Sequence, residues 1–289
     1  MQCPPPPSRV KGLKLISLLG STRNSLVYVA YDPRSRQKMA LKLIHKSIMS
    51  VERLDRECEI QFNLEHRYIM PICEYFDIQD FRCILMPRAY GGNLTEFVSQ
   101  HRNTSQVINS KIMFKVLEAV EFLHYNKILH GDIKPANIVL ASTDTNEPCP
   151  QIIDFGHACI LGKHQLCTCN LMTCIYSAPE VLGFKPHGFP SDIWSLASTF
   201  VFLVTGKDIL HLKHIEAMYN EALNLKLRFE SKEWEMYPDS LKDLLSKMIH
   251  HDPSKRPTAL QCLNHPFFAE MLGKEWISAE IEKDKINPL

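Results

Sequence analysis

The texture of the chain changes at Gly91-Gly92, and that change restricts the fold more than any other feature of the sequence. Before it, apolar and β-branched runs of strand length predominate: Leu13–Leu19, Leu26–Tyr31, Met39–Ile44, Met70–Phe76 and Cys83–Met86. Asp32-Pro-Arg-Ser-Arg-Gln-Lys38 supplies a turn between two of them, and one stretch of helical spacing, about Ser50–Glu65, interrupts the series. After the glycines the spacing predicts helices over Leu94–Gln100, Ser110–Asn126, Ser191–Thr205, Leu212–Leu225, Asp239–His250 and Thr258–Asn264. Strands first and helices after imply an α+β chain of two lobes, joined near residues 87–92.

Composition narrows the function. With 33 Lys+Arg against 32 Asp+Glu, the chain has no excess of basic charge for nucleic acid, so no nucleic-acid partner is expected. No apolar run is long enough to span a membrane. Ile193–Val204 comes nearest, but Ser195, Ser198 and Thr199 interrupt it, and it reads as a buried core helix. Residues 1–9 are Pro-rich and expected to be extended or disordered. That start lacks the charged and apolar regions of a signal peptide, and Gln2 excludes myristoylation. The expected location is the cytoplasm, with the nucleus also open, and no membrane partner. The ten cysteines are scattered and read as thiols; Cys58, Cys73, Cys83 and Cys262 sit in apolar surroundings as small hydrophobes.

The chemistry is concentrated in four fragments: Met39-Ala-Leu-Lys42, His130-Gly-Asp-Ile-Lys-Pro-Ala-Asn137, Gln151-Ile-Ile-Asp-Phe-Gly156 and Ser177-Ala-Pro-Glu180. An isolated Asp-Phe-Gly is usually a turn, and a lone Lys after a strand is usually a solvated edge. Four such fragments in this order are not accidents. In them the sequence resembles the eukaryotic protein kinase family over about residues 10–270.

The resemblance implies a bilobal fold: an N-lobe over 10–86, mostly antiparallel sheet with one helix; a hinge over 87–92; a helical C-lobe over 93–270; and a short tail over 271–289. It implies ATP bound between the lobes with Mg2+, and transfer of the γ-phosphoryl to a hydroxyl of a protein substrate. Asp132 then matches the residue that accepts the hydroxyl proton, and Lys134 the cation that offsets charge on the transferred phosphate. Asn137 and Asp154 match the magnesium ligands, and Lys42 the lysine on the α- and β-phosphates. The carboxylate partner of Lys42 is Glu57 or Glu59, with Glu57 favoured by counting back from His66. Leu19, Gly20, Val27, Ala40 and Val139 match the positions around the nucleotide. Met86 would be the gatekeeper, with Pro87 offering a carbonyl and Ala89 an amide to the adenine edge. Asp192 matches a brace of the catalytic loop, and Arg256 the buried partner of Glu180. Lys134-Pro135 and Thr173 resemble serine/threonine kinases, and the spacing Phe229…Trp234…Leu241 resembles the calcium/calmodulin-dependent group.

The sequence departs from the family pattern at several points. In the phosphate-covering loop, Gly20-Ser-Thr-Arg-Asn-Ser-Leu-Val27, Thr22 and Ser25 replace two glycines, which predicts weakened nucleotide affinity, and Arg23 stands at its tip. Gly131 replaces the arginine that in many members grips an activation-loop phosphate, and the usual phosphosite falls on Cys169, next to Thr168. Together these imply a kinase not controlled by that phosphorylation. Gln61 stands where an apolar residue packs on the Phe of Asp-Phe-Gly, which implies a shifted register or a weaker contact. Asn93, Ala136 and Phe202 replace acids that read basic substrates. His157, Cys159, His164, Cys167, Cys169 and Cys174 raise zinc binding or redox sensing. The alternatives to an active protein kinase are a non-catalytic scaffold of the same fold and a small-molecule kinase. Oligomeric state is open.

Overall fold

The computed structural model describes residues 9–22, 25–47, 50–101, 104–162, 166–168 and 174–286. Residues 1–8, Arg23, His164, Cys169 and Thr173 lie outside the described residues. The chain divides into two compact units: residues 1–65 with 70–90, and residues 66–69 with 91–289.

Among the described residues the first unit is built on six strands. These are β1 (Arg9–Val10), β2 (Leu13–Ser21), β3 (Ser25–Asp32), β4 (Gln37–His45) and, after helix α1 (Val51–Phe62), β5 (Glu74–Ile78) and β6 (Phe81–Pro87). They form one antiparallel sheet in the order β1-β2-β3-β4-β6-β5. Period-two alternation separates its faces. Leu41 and Leu43 join Val10, Leu13, Ala30, Phe81 and Cys83 in one cluster. Ile44 and Ile84 point the other way and pack with Leu54 and Cys58 of α1 and with Ile72.

The predicted strand over Met70–Phe76 begins only at Glu74. Met70 and Ile72 are buried without ladder pairing, and Cys73, expected in apolar surroundings, is exposed. Pro71 supplies no N–H to a ladder, so an apolar run alone does not make a strand there. The free carbonyl of Met70 is used instead by Gln61, whose Nε2 donates to it at 2.8 Å. Gln61 is thus buried with its amide satisfied.

The second unit opens with α2 (Leu94–Gln100), where Asn93 and Glu96 form a reciprocal capping box. Helix α3 (Gln106–Tyr125) starts four residues before the predicted start, because Ser105 caps it by accepting from the Ile108 N–H. Short strands follow: β7 (Ile128–Leu129), β8 (Ile138–Leu140), β9 (Pro150–Ile152) and β10 (Cys159–Ile160), paired β7 with β10 and β8 with β9. The remaining helices are α4 (Pro179–Leu182), α5 (Phe189–Thr205), α6 (Ile215–Leu223), α7 (Asp239–Met248), α8 (Ala259–Leu263), α9 (Pro266–Leu272) and α10 (Lys274–Ile286). Helix α5 carries Ile193, Trp194, Leu196, Ala197 and Phe200 into the core. Among the described residues no helix is long and apolar enough to cross a membrane.

The segment expected as a tail is largely helix α10, and it is anchored by a charge. Glu280 is 1% exposed; it accepts from the Tyr68 hydroxyl and from Lys283 Nζ at 3.0 Å, with Lys115 Nζ at 3.9 Å. Trp276 meets the edge of Phe114.

His66 is the residue of this unit whose titration should mark its stability. Its ring lies 4.8 Å from that of Phe122, its Nδ1 accepts the Tyr68 N–H at 3.1 Å, and burial pushes its pKa down to about 4 from 6.5. Because the folded value lies below the unfolded one, the unfolded chain takes up the proton first as pH falls. Stability should therefore be full above pH 6.5 and decline by about 3 kcal/mol as pH drops toward 4. Urea unfolding of His66→Asn, which keeps an acceptor for Tyr68, should show a flatter decline over that range. An unchanged slope would rule His66 out as the source.

Candidate active site

In the first unit, strand register collects the nucleotide candidates. Lys42 stands opposite Val27 on β3 and Ile84 on β6, and Ala40 stands opposite Met86. Opposed residues share a face, so Val27, Ala40, Lys42 and Met86 lie on the side of the sheet that α1 covers. From there Lys42 Nζ reaches Glu57 Oε1 at 2.7 Å, with Glu57 3% exposed and Glu59 exposed. Buried carboxylate and cation thus satisfy one another.

Leu19 falls in the register shift between Leu18 and Gly20, and is 45% exposed; Gly20 stands opposite Val27. The two hydroxylated residues that replace glycines bond to each other. Thr22 N donates to Ser25 O at 2.8 Å, Ser25 N donates to Thr22 Oγ1 at 3.1 Å, and the two hydroxyls are 3.0 Å apart. Their side chains thus add to the backbone bond that joins Thr22 to Ser25. Pro87 ends β6, and Ala89 follows it, both half-buried.

In the second unit, the candidate catalytic loop runs from β7 to β8 and is pinned from below by one carboxylate. Asp192, at the start of α5, accepts from His130 N and Gly131 N, each at 2.9 Å, and lies 3.0 Å from His124 Nε2. Burial raises the Asp192 pKa, but His124, His130 and the Gly131 amide outweigh it and hold the carboxyl below its usual range. The His130 ring meets Phe155 edge-on at 4.9 Å, and burial holds its pKa below the usual value.

Gly131 has φ +76°, and a Cβ there would lie 2.9 Å from the His157 carbonyl oxygen. Glycine takes that backbone without strain. Position 131 is therefore one that glycine fills at low cost. Gly91 is tighter still, since a Cβ would lie 2.3 Å from the Ser142 carbonyl oxygen.

Above this brace the polar groups converge on Asp132, which is 6% exposed. Its Oδ2 accepts from Lys134 Nζ at 2.6 Å and Asn137 Nδ2 at 2.9 Å, with His157 Nδ1 at 3.4 Å. Asn137 Nδ2 also donates to the Asp132 carbonyl at 2.9 Å. Burial raises the Asp132 pKa, but the His157 hydrogen bond and the Lys134 charge hold it below the usual carboxylate range. His157 is a neighbour that sequence reasoning placed in the cysteine-rich segment rather than at this carboxylate; only the fold after Asp154-Phe-Gly156 brings it back.

Asn137 closes a 3-10 turn over Pro135–Asn137, and its backbone carbonyl accepts the Ile153 N–H at 2.9 Å. That bond sets it next to the chain leading into Asp154, which has φ +67°. Val139 on β8 pairs with Gln151 and bridges to Asn93. The Asn137 amide nitrogen bonds to Asp132, while its side-chain oxygen and the Asp154 carboxylate are hard oxygen donors of the kind a small divalent cation takes. Magnesium takes one or two such groups plus phosphate oxygens, so the donor set fits it. Among the described residues no three His, Cys, Asp or Glu side chains converge as metal ligands, and His164 and Cys169 of the zinc expectation lie outside them.

A buried ion pair ties the Ala178-Pro-Glu180 fragment down. Arg256 donates to both Glu180 oxygens, at 2.7 and 2.8 Å, and to the carbonyls of Pro190 and His250. Phe229 meets Trp234 edge-on at 4.9 Å.

Comparison with known proteins agrees with this geometry. A protein named probable myosin light chain kinase from Dictyostelium discoideum is 30% identical over 260 residues, 88% of this chain and 66% of that one. A probable serine/threonine-protein kinase of the same organism is 26% identical over 259 residues, covering 90% of this chain and 36% of its own length. Aurora kinase C of Mus musculus is 29% identical over 259 residues, 87% of this chain and 90% of the mouse protein. The chain thus spans less than two thirds of the length of the first two. The family model for the protein kinase domain matches residues 13–268. By that match, over nearly its whole length, the chain belongs to the protein kinase domain family.

Proposed function

We propose that the chain is a catalytically active serine/threonine protein kinase that uses MgATP. Asp132 takes the proton of the attacking hydroxyl, and Lys134 offsets charge on the transferred phosphoryl. Lys42, held by Glu57, takes the α- and β-phosphates. Asn137 and Asp154 hold magnesium, which when bound neutralises the phosphate oxygens. Leu19, Gly20, Val27, Ala40 and Val139 line the base and sugar, and Met86, Pro87 and Ala89 form the adenine edge. Control is independent of phosphorylation at the usual activation-segment position, since Gly131 offers no cation to a phosphate there. The edge contact of Phe229 with Trp234 supports a place near the calcium/calmodulin-dependent group.

The observation that carries this reading is the state of Asp132. It is buried, ionised below its usual range, and bonded by both Lys134 and Asn137. Burying a carboxylate is costly without compensation, and a scaffold has no need of that arrangement.

The test is phosphoamino-acid analysis of a mixed protein substrate after incubation with MgATP, with Lys42→Arg beside wild type. Phosphoserine or phosphothreonine is expected. Arg keeps the Glu57 ion pair but misplaces the charge, so transfer should fall about 100-fold with the unfolding midpoint unchanged. Phosphotyrosine alone, or phosphate found only on small molecules, would contradict the assignment.

A further inference from the structure

Two cysteines of the segment between Asp154 and Glu180 meet. Cys159 sits in β10, held opposite Leu129 of β7. Cys167 exchanges backbone hydrogen bonds with His187, at 2.7 and 3.0 Å. Each is thus fixed by its own backbone pairing, and their Sγ atoms lie 2.7 Å apart. Non-bonded carbon atoms rest roughly 3.5–4 Å apart and a disulfide needs about 2.05 Å, so the two sulfurs stand well inside ordinary contact distance. Leu129 and Leu161 pack around the pair, with Phe189 beside them.

The surroundings differ for the two sulfurs. Cys159 is partly exposed, whereas Cys167 is buried at 5% exposure. His187, itself buried, is paired to Cys167 through the backbone, and its Nδ1 lies 3.2 Å from the Lys185 carbonyl. Burial pulls the His187 pKa down, but the neighbouring Cys167 side chain and the Lys185 carbonyl outweigh it and hold it above its usual value. Elsewhere the buried thiols are poor nucleophiles: burial pushes Cys83 and Cys262 up to about 12.

We propose that Cys159 and Cys167 form a modification site, a reversible intrachain disulfide made by two-electron oxidation with a hydroperoxide. The Cys159 sulfur attacks a peroxide oxygen, the O–O bond breaks, and the departing hydroxide takes the Cys159 thiol proton and leaves as water, so a sulfenic acid remains. Cys167 passes its proton to His187, and the resulting thiolate attacks the Cys159 sulfur. The S–O bond breaks, and the departing hydroxide takes the proton from His187 to leave as water. Two thiols and one hydrogen peroxide thus become one disulfide and two waters, and a thiol reductant reverses the change. The bond ties β10, whose partner β7 leads into the Asp132 loop, to the chain beside His187.

The test is graded hydrogen peroxide on the full chain, followed by blocking of free thiols and peptide mass mapping without reductant. A linked Cys159–Cys167 peptide should appear before Cys58, Cys83 or Cys262 is oxidised, and dithiothreitol should remove it. Cys159→Ser and Cys167→Ser should each abolish it, and His187→Asn should slow closure about tenfold by leaving Cys167 protonated. Linkage of Cys167 to Cys169 or Cys174 instead, or oxidation of the core thiols first, would overturn the site. An unchanged rate in His187→Asn would overturn the role of His187. Asp132→Asn should give the same linkage, so failure of this site and failure of phosphoryl transfer are read separately.

Discussion

Asp132→Asn is expected to reduce phosphoryl transfer about 1000-fold at saturating ATP, with the folded chain intact. Asparagine keeps the shape of Asp132 and an oxygen for Asn137 Nδ2, now 2.9 Å away. It cannot accept a proton from a substrate hydroxyl, and it no longer balances Lys134, whose Nζ lies 2.6 Å from the carboxylate. The backbone of the loop is untouched, because Asp192 rather than Asp132 receives the His130 and Gly131 amides. Initial-rate measurements beside an unfolding curve separate these effects. A loss below tenfold with normal folding would mean that Asp132 does not take the proton.

The largest expected effect on stability lies at Arg256. Its side chain is 0% exposed, and it satisfies Glu180, itself 10% exposed, through both carboxylate oxygens. It also donates to Pro190 and His250 carbonyls and stands 5.1 Å over the Trp194 ring. Arg256→Met strands a buried carboxylate and two carbonyls, which should cost about 3–5 kcal/mol in urea unfolding. Arg256→Met with Glu180→Gln should recover part of that loss, since the uncompensated charge is gone. A loss under about 1 kcal/mol in the single variant would mean that Glu180 finds another partner.

Much of this arrangement is legible in the sequence, because short-range chemistry writes it there. The loop from His130 to Asn137 carries its own contacts: Asp132, Lys134 and Asn137 lie within five residues and bond within that span. Helix α2 falls at its predicted bounds because Asn93 and Glu96 cap it by local bonds. The favoured Glu57 and the competing Glu59 differ by two positions on α1, and the structure sets Glu57 against Lys42.

What periodicity misread has identifiable causes. Met70-Pro-Ile-Cys73 is apolar but cannot enter a ladder at Pro71, so β5 begins later, in a segment with Glu74 and Asp77. Helix α10 carries no apolar stripe that reads as a core face; its buried anchor is Glu280, matched by Tyr68 from a distant part of the chain. The same distance in sequence hides His157 beside Asp132 and His187 beside Cys167, since neither pairing leaves a local pattern. Gly131 looked like a loss in the sequence; in the fold it fills a left-handed position against the His157 carbonyl.

Phosphoryl transfer, as proposed, separates this chain from an inert scaffold of the same fold. Its most direct test is the time course of radiolabelled phosphate moving from MgATP to protein, using folded wild type with several substrates and divalent metals. Turnover that requires the metal is expected. A chain that folds and binds nucleotide yet transfers nothing under any of these conditions would contradict it.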